Sequence, residues 1–505
     1  MKKNLLKTGS IVFVLIILGK IFSLIREMYF SALFGTSLYA DAYFTANIIP
    51  NLLNTPLTIS SLVFFVPLYT KCKTEHGEKE AGRFTSNLMT IYVLFNIILT
   101  VVAFALSPVL IRLIASGYDE ATYQCTVHLS QLLVFTFPVT VAVHVLINVS
   151  NANQKHYAPQ LLTVFNSIIS IVCMYFFVPV YGIYAVPVIG LFAWFVQLFI
   201  QGFCIRREYN YRFCLNLRDP LIKSIIVLAI PVVIATATEQ INLSIDNMLC
   251  SSLGTGAVSV LNYSQKLFNL LNGTITTAII TVSYPVFSRL YAERNEKDLG
   301  KSINKYYNLI VLVMLPVMLL CIIYREEIVR IVFARGAFGE SAVVSVARVF
   351  MIYAIAIPFA ALKELITRLF YVYEESKIPM LINTLCIVMN TVLSFIFVWI
   401  WKIEGDVLAT VIATSVACVF ETIVFRRKYA KKNENRLLIT TGLWRYILAI
   451  AGMSLGAVGI NYILDNIHYI LRIGVGTVIS LVIYAVILEI CGEPNVRKVI
   501  RKIGR

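Results

Sequence analysis

The chain has 505 residues, is 59% hydrophobic and only 14% charged, and carries a formal net charge of +16. Apolar runs of about 18 or more residues recur from one end to the other, which excludes a string of soluble domains and indicates a polytopic membrane protein. The basic excess clusters between alternate runs, as loops on the cytoplasmic face do, so it argues for membrane topology and against a nucleic-acid partner.

The first element, "MKKNLLKTGSIVFVLIILGK", opens like a signal peptide, but no small-residue cleavage site follows and further spans come at once. It is read as a retained first helix. An all-α integral membrane fold of about fourteen helices is predicted, centred near residues 20, 55, 98, 138, 168, 193, 233, 272, 315, 355, 388, 415, 452 and 480. The inner side takes "KCKTEHGEKEAGR", "RREYNYRFCLNLR", "RRKYAKKNENR" and the tail "RKVIRKIGR", while the outer loops "ASGYDEAT" and "DNIHY" are neutral or acidic. Both termini are therefore expected in the cytoplasm, with membrane lipids as the surrounding partners.

Helix 1 carries Lys20, Arg26 and Glu27 within "GKIFSLIREMYFSALFG". A charge at mid-bilayer costs roughly 3 kcal/mol on insertion scales, so such residues face the protein interior or water. Lys20 and Glu27 are seven residues apart and share a helical face, with Arg26 about 100° round from Glu27. Two readings stay open: a buried network in which Arg26 and Glu27 neutralise each other, or a cationic aqueous cleft suited to an anionic substrate. Asp41, placed near the outer surface, leaves the cleft positive.

A weak internal repeat runs along the chain. "NLLN" at 51–54 recurs at 269–272, and Pro67 matches Pro285 at the same 218-residue offset. Six helices fit in that offset, so the copies share one orientation, as parallel repeats around a central cavity. The expected organisation is a first lobe at 1–206, a cytoplasmic linker at 207–219, a second lobe at 220–428, and an appended helix pair with a basic cytoplasmic tail at 429–505. Lys266, in "LNYSQKLFNLLN", is the second lobe's counterpart cation. The ten Cys are scattered singly and the five His have no ligand spacing. No cofactor motif or soluble-type active site is found, and an enzyme is not expected.

Four segments resemble one family: residues 19–53, "EQINLSIDNMLCSSLGTGAVSVLNYSQKL" at 239–267, "VFARGAF" at 332–338, and "PFAALKELITRLFYVYEESKIP" at 358–379. In order and spacing they are similar to the MurJ (MviN) lipid II flippases of the multidrug/oligosaccharidyl-lipid/polysaccharide exporter superfamily. There are departures. Asn54 and Ser60 stand where the family has an Arg and an acidic stretch, Gln265 and Lys266 replace Asp-Arg, and Lys20 replaces Arg. Lys meets phosphate as a point charge without Arg's fork, which bears on the headgroup.

The resemblance implies a bacterial cell-membrane transporter that moves an undecaprenyl-diphosphate-linked peptidoglycan precursor, lipid II, to the outer leaflet by alternating access. Cell-wall synthases would be its partners. It implies that Lys20, Arg26 and Lys266 contact diphosphate, that Glu27 orients Arg26, and that Asn47, Asn51 and Asn54 bond sugar hydroxyls or bridge helices. It further implies Na⁺ or proton coupling, with Asp246, Asn390, Ser394, Thr410 and Thr414 as oxygen ligands or as polar helix contacts. Alternatives are a flippase for an exopolysaccharide or O-antigen unit, a membrane glycosyltransferase, for which no paired-carboxylate metal site is present, and a cation-coupled drug exporter, which the cationic helix 1 disfavours.

Overall fold

The computed structural model describes residues 2–155, 157–429, 442–463 and 469–493, with the side chains of 2–13, 60–63 and 443 left aside. The basic tail, most of the inner cluster "RRKYAKKNENR", the outer residues 465–468 and the side chain of Ser60 lie outside the described residues. Hydrocarbon offers the backbone no hydrogen-bond partner, so a chain this apolar closes its bonds within helices, and no strand occurs among the described residues.

The helices are α1 (Lys2–Phe34), α2 (Leu38–Ala46), α3 (Ile48–His76), α4 (Glu78–Ile114), α5 (Glu120–Leu133), α6 (Phe137–Ala152), α7 (Tyr157–Tyr181), α8 (Ala185–Ile205), α9 (Pro220–Ser251), α10 (Ala257–Ala292), α11 (Glu296–Ile323), α12 (Arg325–Phe333), α13 (Glu340–Val372), α14 (Lys377–Tyr429), α15 (Leu443–Ile463) and α16 (Tyr469–Ile490). Eleven helical stretches among the described residues are long and apolar enough to cross a membrane. Four of these contain two helices apiece: residues 38–76 hold α2 and α3, residues 120–152 hold α5 and α6, and the other two are 157–205 and 377–429. Residues 157–205 hold α7 and α8, joined by a 3₁₀ turn at Gly182–Tyr184 and packed on each other.

In α14 the helix breaks at Lys402, whose φ is 54°. Glu404 just past the break pairs with Arg348 near the start of α13 at 3.7 Å, and Lys428 pairs with Glu375 beyond its end. The second half of α14 therefore runs back along the first. Gly405 permits the reversal, since a Cβ there would stand 2.1 Å from the Phe397 carbonyl oxygen.

Two compact units emerge. The first comprises residues 1–259 with 335–338, and the second 260–334 with 339–505. The expected lobe boundary lies at 207–219, whereas α9, beyond it, packs on α3 and α4 of the first unit.

The first unit's inner core joins Phe65 and Tyr69 of α3, Phe84 of α4, Val145 and Val149 of α6, and Ile222 and Ile225 of α9. The Phe65 and Phe84 rings stack with centroids 5.8 Å apart. The segment between α8 and α9 is held on α4 by side chains: Asn87 exchanges hydrogen bonds with the Asn216 backbone at 2.8 and 2.9 Å, and Tyr209 meets the Ser86 hydroxyl at 3.1 Å. Burial pushes the Tyr209 phenol up to about 12.

In the second unit α15 and α16 pack closely because Gly452 and Gly456 leave room for Ile487 and Ile483. Arg472 of α16 forms a 2.5 Å ion pair with Glu327 of α12, and the Tyr484 hydroxyl donates to the Leu312 carbonyl at 3.1 Å. These contacts hold the appended pair to the unit.

Candidate functional site

In the first unit the charged stretch of α1 is fixed by aromatic packing one turn beyond it. The Phe30 ring contacts Phe34, Tyr43 and Phe44 at centroid distances of 5.0, 4.9 and 5.6 Å, which ties α1 to α2. Arg26 meets Glu27 at 3.4 Å, with the two side chains 35% and 21% exposed. A pair this accessible contributes about 0–1 kcal/mol and engages few of the five guanidinium N–H donors. The contact uses one guanidinium nitrogen and leaves N–H donors on the others. Lys20 is half-buried six residues earlier on the same helix.

The three asparagines separate. Asn54 is buried and donates to the Thr140 hydroxyl of α6 at 2.7 Å, a bridge between helices. Asn47 donates to the Tyr43 carbonyl at 2.7 Å, within its own turn, while Asn51 is exposed. Asp246, on α9, is buried.

Asp41 is fully buried. Its carboxylate accepts from the Gly256 N–H at 2.5 Å, the Ser259 N–H at 2.7 Å and the Ser259 hydroxyl. These amides are among the unsatisfied donors at the start of α10, where a negative charge is favoured by the helix dipole. Tyr118 adds to the cluster, meeting the Thr45 hydroxyl at 2.7 Å and the Asp41 carbonyl at 3.3 Å.

The segment 335–338, part of "VFARGAF", docks beside it. The Ala337 N–H donates to the Ala32 carbonyl at 2.8 Å. Gly35 and Gly336 have φ of 54° and 56°, and a Cβ on either would come within 2.4 Å of the other segment's carbonyl oxygen. Glycine is required on both sides of this contact.

In the second unit, Lys266 is half-buried on α10. Of the oxygen-bearing group predicted there, Asn390 and Ser394 are buried on the outgoing half of α14. Thr410 and Thr414, on the returning half, line a cavity of about 360 Å³ together with Lys363, Glu364, Thr367 and Arg368 of α13. Sequence reasoning missed two buried acids of this helix. Asp406 lies against the Ser394 hydroxyl, and Glu421 accepts from Thr367 at 2.9 Å. Both were visible as acids inside the apolar runs "WKIEGDVLATV" and "ACVFETIVF".

A larger cavity of about 550 Å³ in the first unit is walled by Phe177, Tyr181, Tyr184 and Phe192 of α7, α8 and the turn between them, and offers contacts for hydrocarbon alone.

Residues 30–480 match the family model described as lipid II flippase MurJ. The chain belongs to the lipid II flippase MurJ family. It is 25% identical over 419 residues to a probable lipid II flippase MurJ of Rickettsia prowazekii (strain Madrid E), covering 81% of this chain and 82% of that one. To the lipid II flippase MurJ of Burkholderia cenocepacia it is 25% identical over 392 residues, covering 76% of each. A solved structure of lipid II flippase MurJ in an inward closed conformation superposes with a TM-score of 0.78 at 21% identity, covering 95% of this chain and 98% of that one. An inward-facing multidrug resistance MATE family transporter of the MOP superfamily gives 0.68 at 14% identity, covering 82% and 95%. The MurJ family is one of transporters, and this all-helical membrane chain shares its fold.

Proposed function

We propose that the chain carries lipid II, an undecaprenyl-diphosphate-linked peptidoglycan precursor, from the inner to the outer leaflet of the bacterial cell membrane by alternating access. The observation that carries this reading is Arg26. In a family whose relatives are named lipid II flippases, it stands on α1, beside Glu27 and with guanidinium donors to spare. Arg grips phosphate in a bidentate fork, and Lys20 and Lys266 add point charges for the same diphosphate. Carrying the anion past such cations lowers the cost of moving it through low dielectric, and the membrane potential, about 2.3 kcal/mol per charge per 100 mV, biases reorientation.

Coupling to Na⁺ or a proton is assigned to oxygen ligands: Asp246 on α9, and Asn390, Ser394, Thr410 and Thr414 on α14. The proximity of Asp406 to Ser394 supports adding it to that group. Both termini and the α3–α4 junction at Gly77 face the cytoplasm in this reading, and the synthases that polymerise lipid II on the outer face are the natural partners.

Depleting a bacterium of its own lipid II flippase and supplying this chain tests the function. Growth and appearance of lipid II in the outer leaflet are expected. A chain that inserts normally yet leaves lipid II inside would overturn the proposal.

A further inference from the structure

The returning half of α14 buries a second carboxylate, apart from Asp406. Glu421 has no exposed surface. Its Oε2 accepts from the Thr367 hydroxyl of α13 at 2.9 Å, whereas Oε1 meets no hydrogen-bond donor among the described residues. The titratable groups facing it are Lys363 from α13, Cys386 from the outgoing half of α14, and Cys418 from its own helix. Lys363 and Thr367 are four residues apart and so share a face of α13, and both line the 360 Å³ cavity. The ammonium thus borders the cavity while the hydroxyl holds the carboxylate behind it.

One neutral donor is poor compensation for a charged carboxylate at this depth, and Lys363 supplies the balancing charge through space. An anion entering the cavity competes for that ammonium. Once Lys363 turns to the anion, the carboxylate loses its compensation, and the least costly response is to bind a proton at the oxygen that has no donor.

We propose that Glu421 is a proton-binding site, charged while the cavity is empty and protonated at Oε1 while Lys363 holds an anionic headgroup. This rests on the reading of the chain as a carrier of a diphosphate-linked lipid. The step is balanced: the carboxylate takes one proton from water to become a carboxylic acid, no bond in the substrate changes, and the proton leaves when the anion does.

Infrared difference spectra of the full chain in phosphatidylcholine vesicles, with inorganic pyrophosphate as the probe, test the site. Pyrophosphate should raise a protonated-carboxyl stretch at neutral pH that is absent in Glu421→Gln, whereas Lys363→Gln, with no ammonium to balance the charge, should show the band before pyrophosphate is added and no further rise with it. Thr367→Val keeps the acid but removes the donor to its charged form, so the band should be present before pyrophosphate is added. Calorimetric binding of pyrophosphate without the band, a band that persists in Glu421→Gln, or no pyrophosphate binding at all would each overturn the proposal. Loss of lipid II rescue alongside an intact pyrophosphate-dependent band would remove the lipid II reading and leave the proton site standing.

Discussion

Asp41 and Ser259 stand 218 residues apart, the offset of the internal repeat, and are joined twice: the Ser259 N–H and hydroxyl both donate to the Asp41 carboxylate. With the Gly256 N–H, this gives a fully buried acid three donors at the start of α10. Removing the acid strands those amides. Asp41→Ala should therefore destabilise the protein by about 2 kcal/mol or more, whereas Ser259→Ala, which keeps the amide, should cost roughly half as much. Thermal unfolding in detergent measures both, and equal midpoints for Asp41→Ala and wild type would refute the role given to the carboxylate.

Gly336→Ala should be among the most damaging single-methyl additions in the chain. The new Cβ would lie 2.2 Å from a backbone oxygen of Ala32, in a left-handed conformation that Ala adopts reluctantly. A loss of about 2–3 kcal/mol is expected from strain and the broken Ala337–Ala32 bond. Gly273→Ala, in open space on α10, is the control and should be neutral or slightly stabilising.

Arg26→Ala should lower transport at least about tenfold, or roughly 1.4 kcal/mol, without impairing membrane insertion, and Arg26→Lys should recover part of it. If Arg26 served to neutralise Glu27, the double change Arg26→Ala with Glu27→Ala would restore activity, because no unpaired charge remains. The expected result is that the double variant stays inactive in a leaflet-specific lipid II assay.

Asp246→Asn should weaken Na⁺- or proton-dependent turnover with the fold intact, because a carboxamide cannot balance a bare ion in low dielectric. Asp406→Asn should do the same if its carboxylate serves with Ser394. Transport rates compared with and without each ion gradient decide this, and rates indifferent to both gradients in wild type and variants would end the coupling assignment.

Arg472→Ala removes one partner of an ion pair whose side chains are 17% and 11% exposed. Leaving Glu327 buried and unpaired should cost about 3 kcal/mol, and replacing both by apolar residues of similar size should cost far less. Limited proteolysis between α15 and α16, together with unfolding midpoints for the single and double variants, reads the difference.

The amino-acid sequence by itself determined the helical membrane class, the approximate positions of the helices and the cations of the first helix. Those features depend on local composition and period, which hydrocarbon enforces on every segment separately. The four motif segments also carried the family resemblance, since they lie within or overlap residues 30–480. What only the tertiary structure decided is where polar atoms find partners. Asn54 reaches Thr140, Asp41 reaches the start of α10, Glu421 reaches Thr367, and "VFARGAF" reaches the end of α1. Each partner is tens to hundreds of residues away, and buried polar groups are satisfied by whatever donor the packing brings near. Periodicity along one helix contains no record of that donor. The reversal at Lys402 falls between the helices expected near residues 388 and 415, but its local form, a φ of 54° in a non-glycine residue, is sustained by the packing of α14 on α13, and no turn motif in the chain announces it.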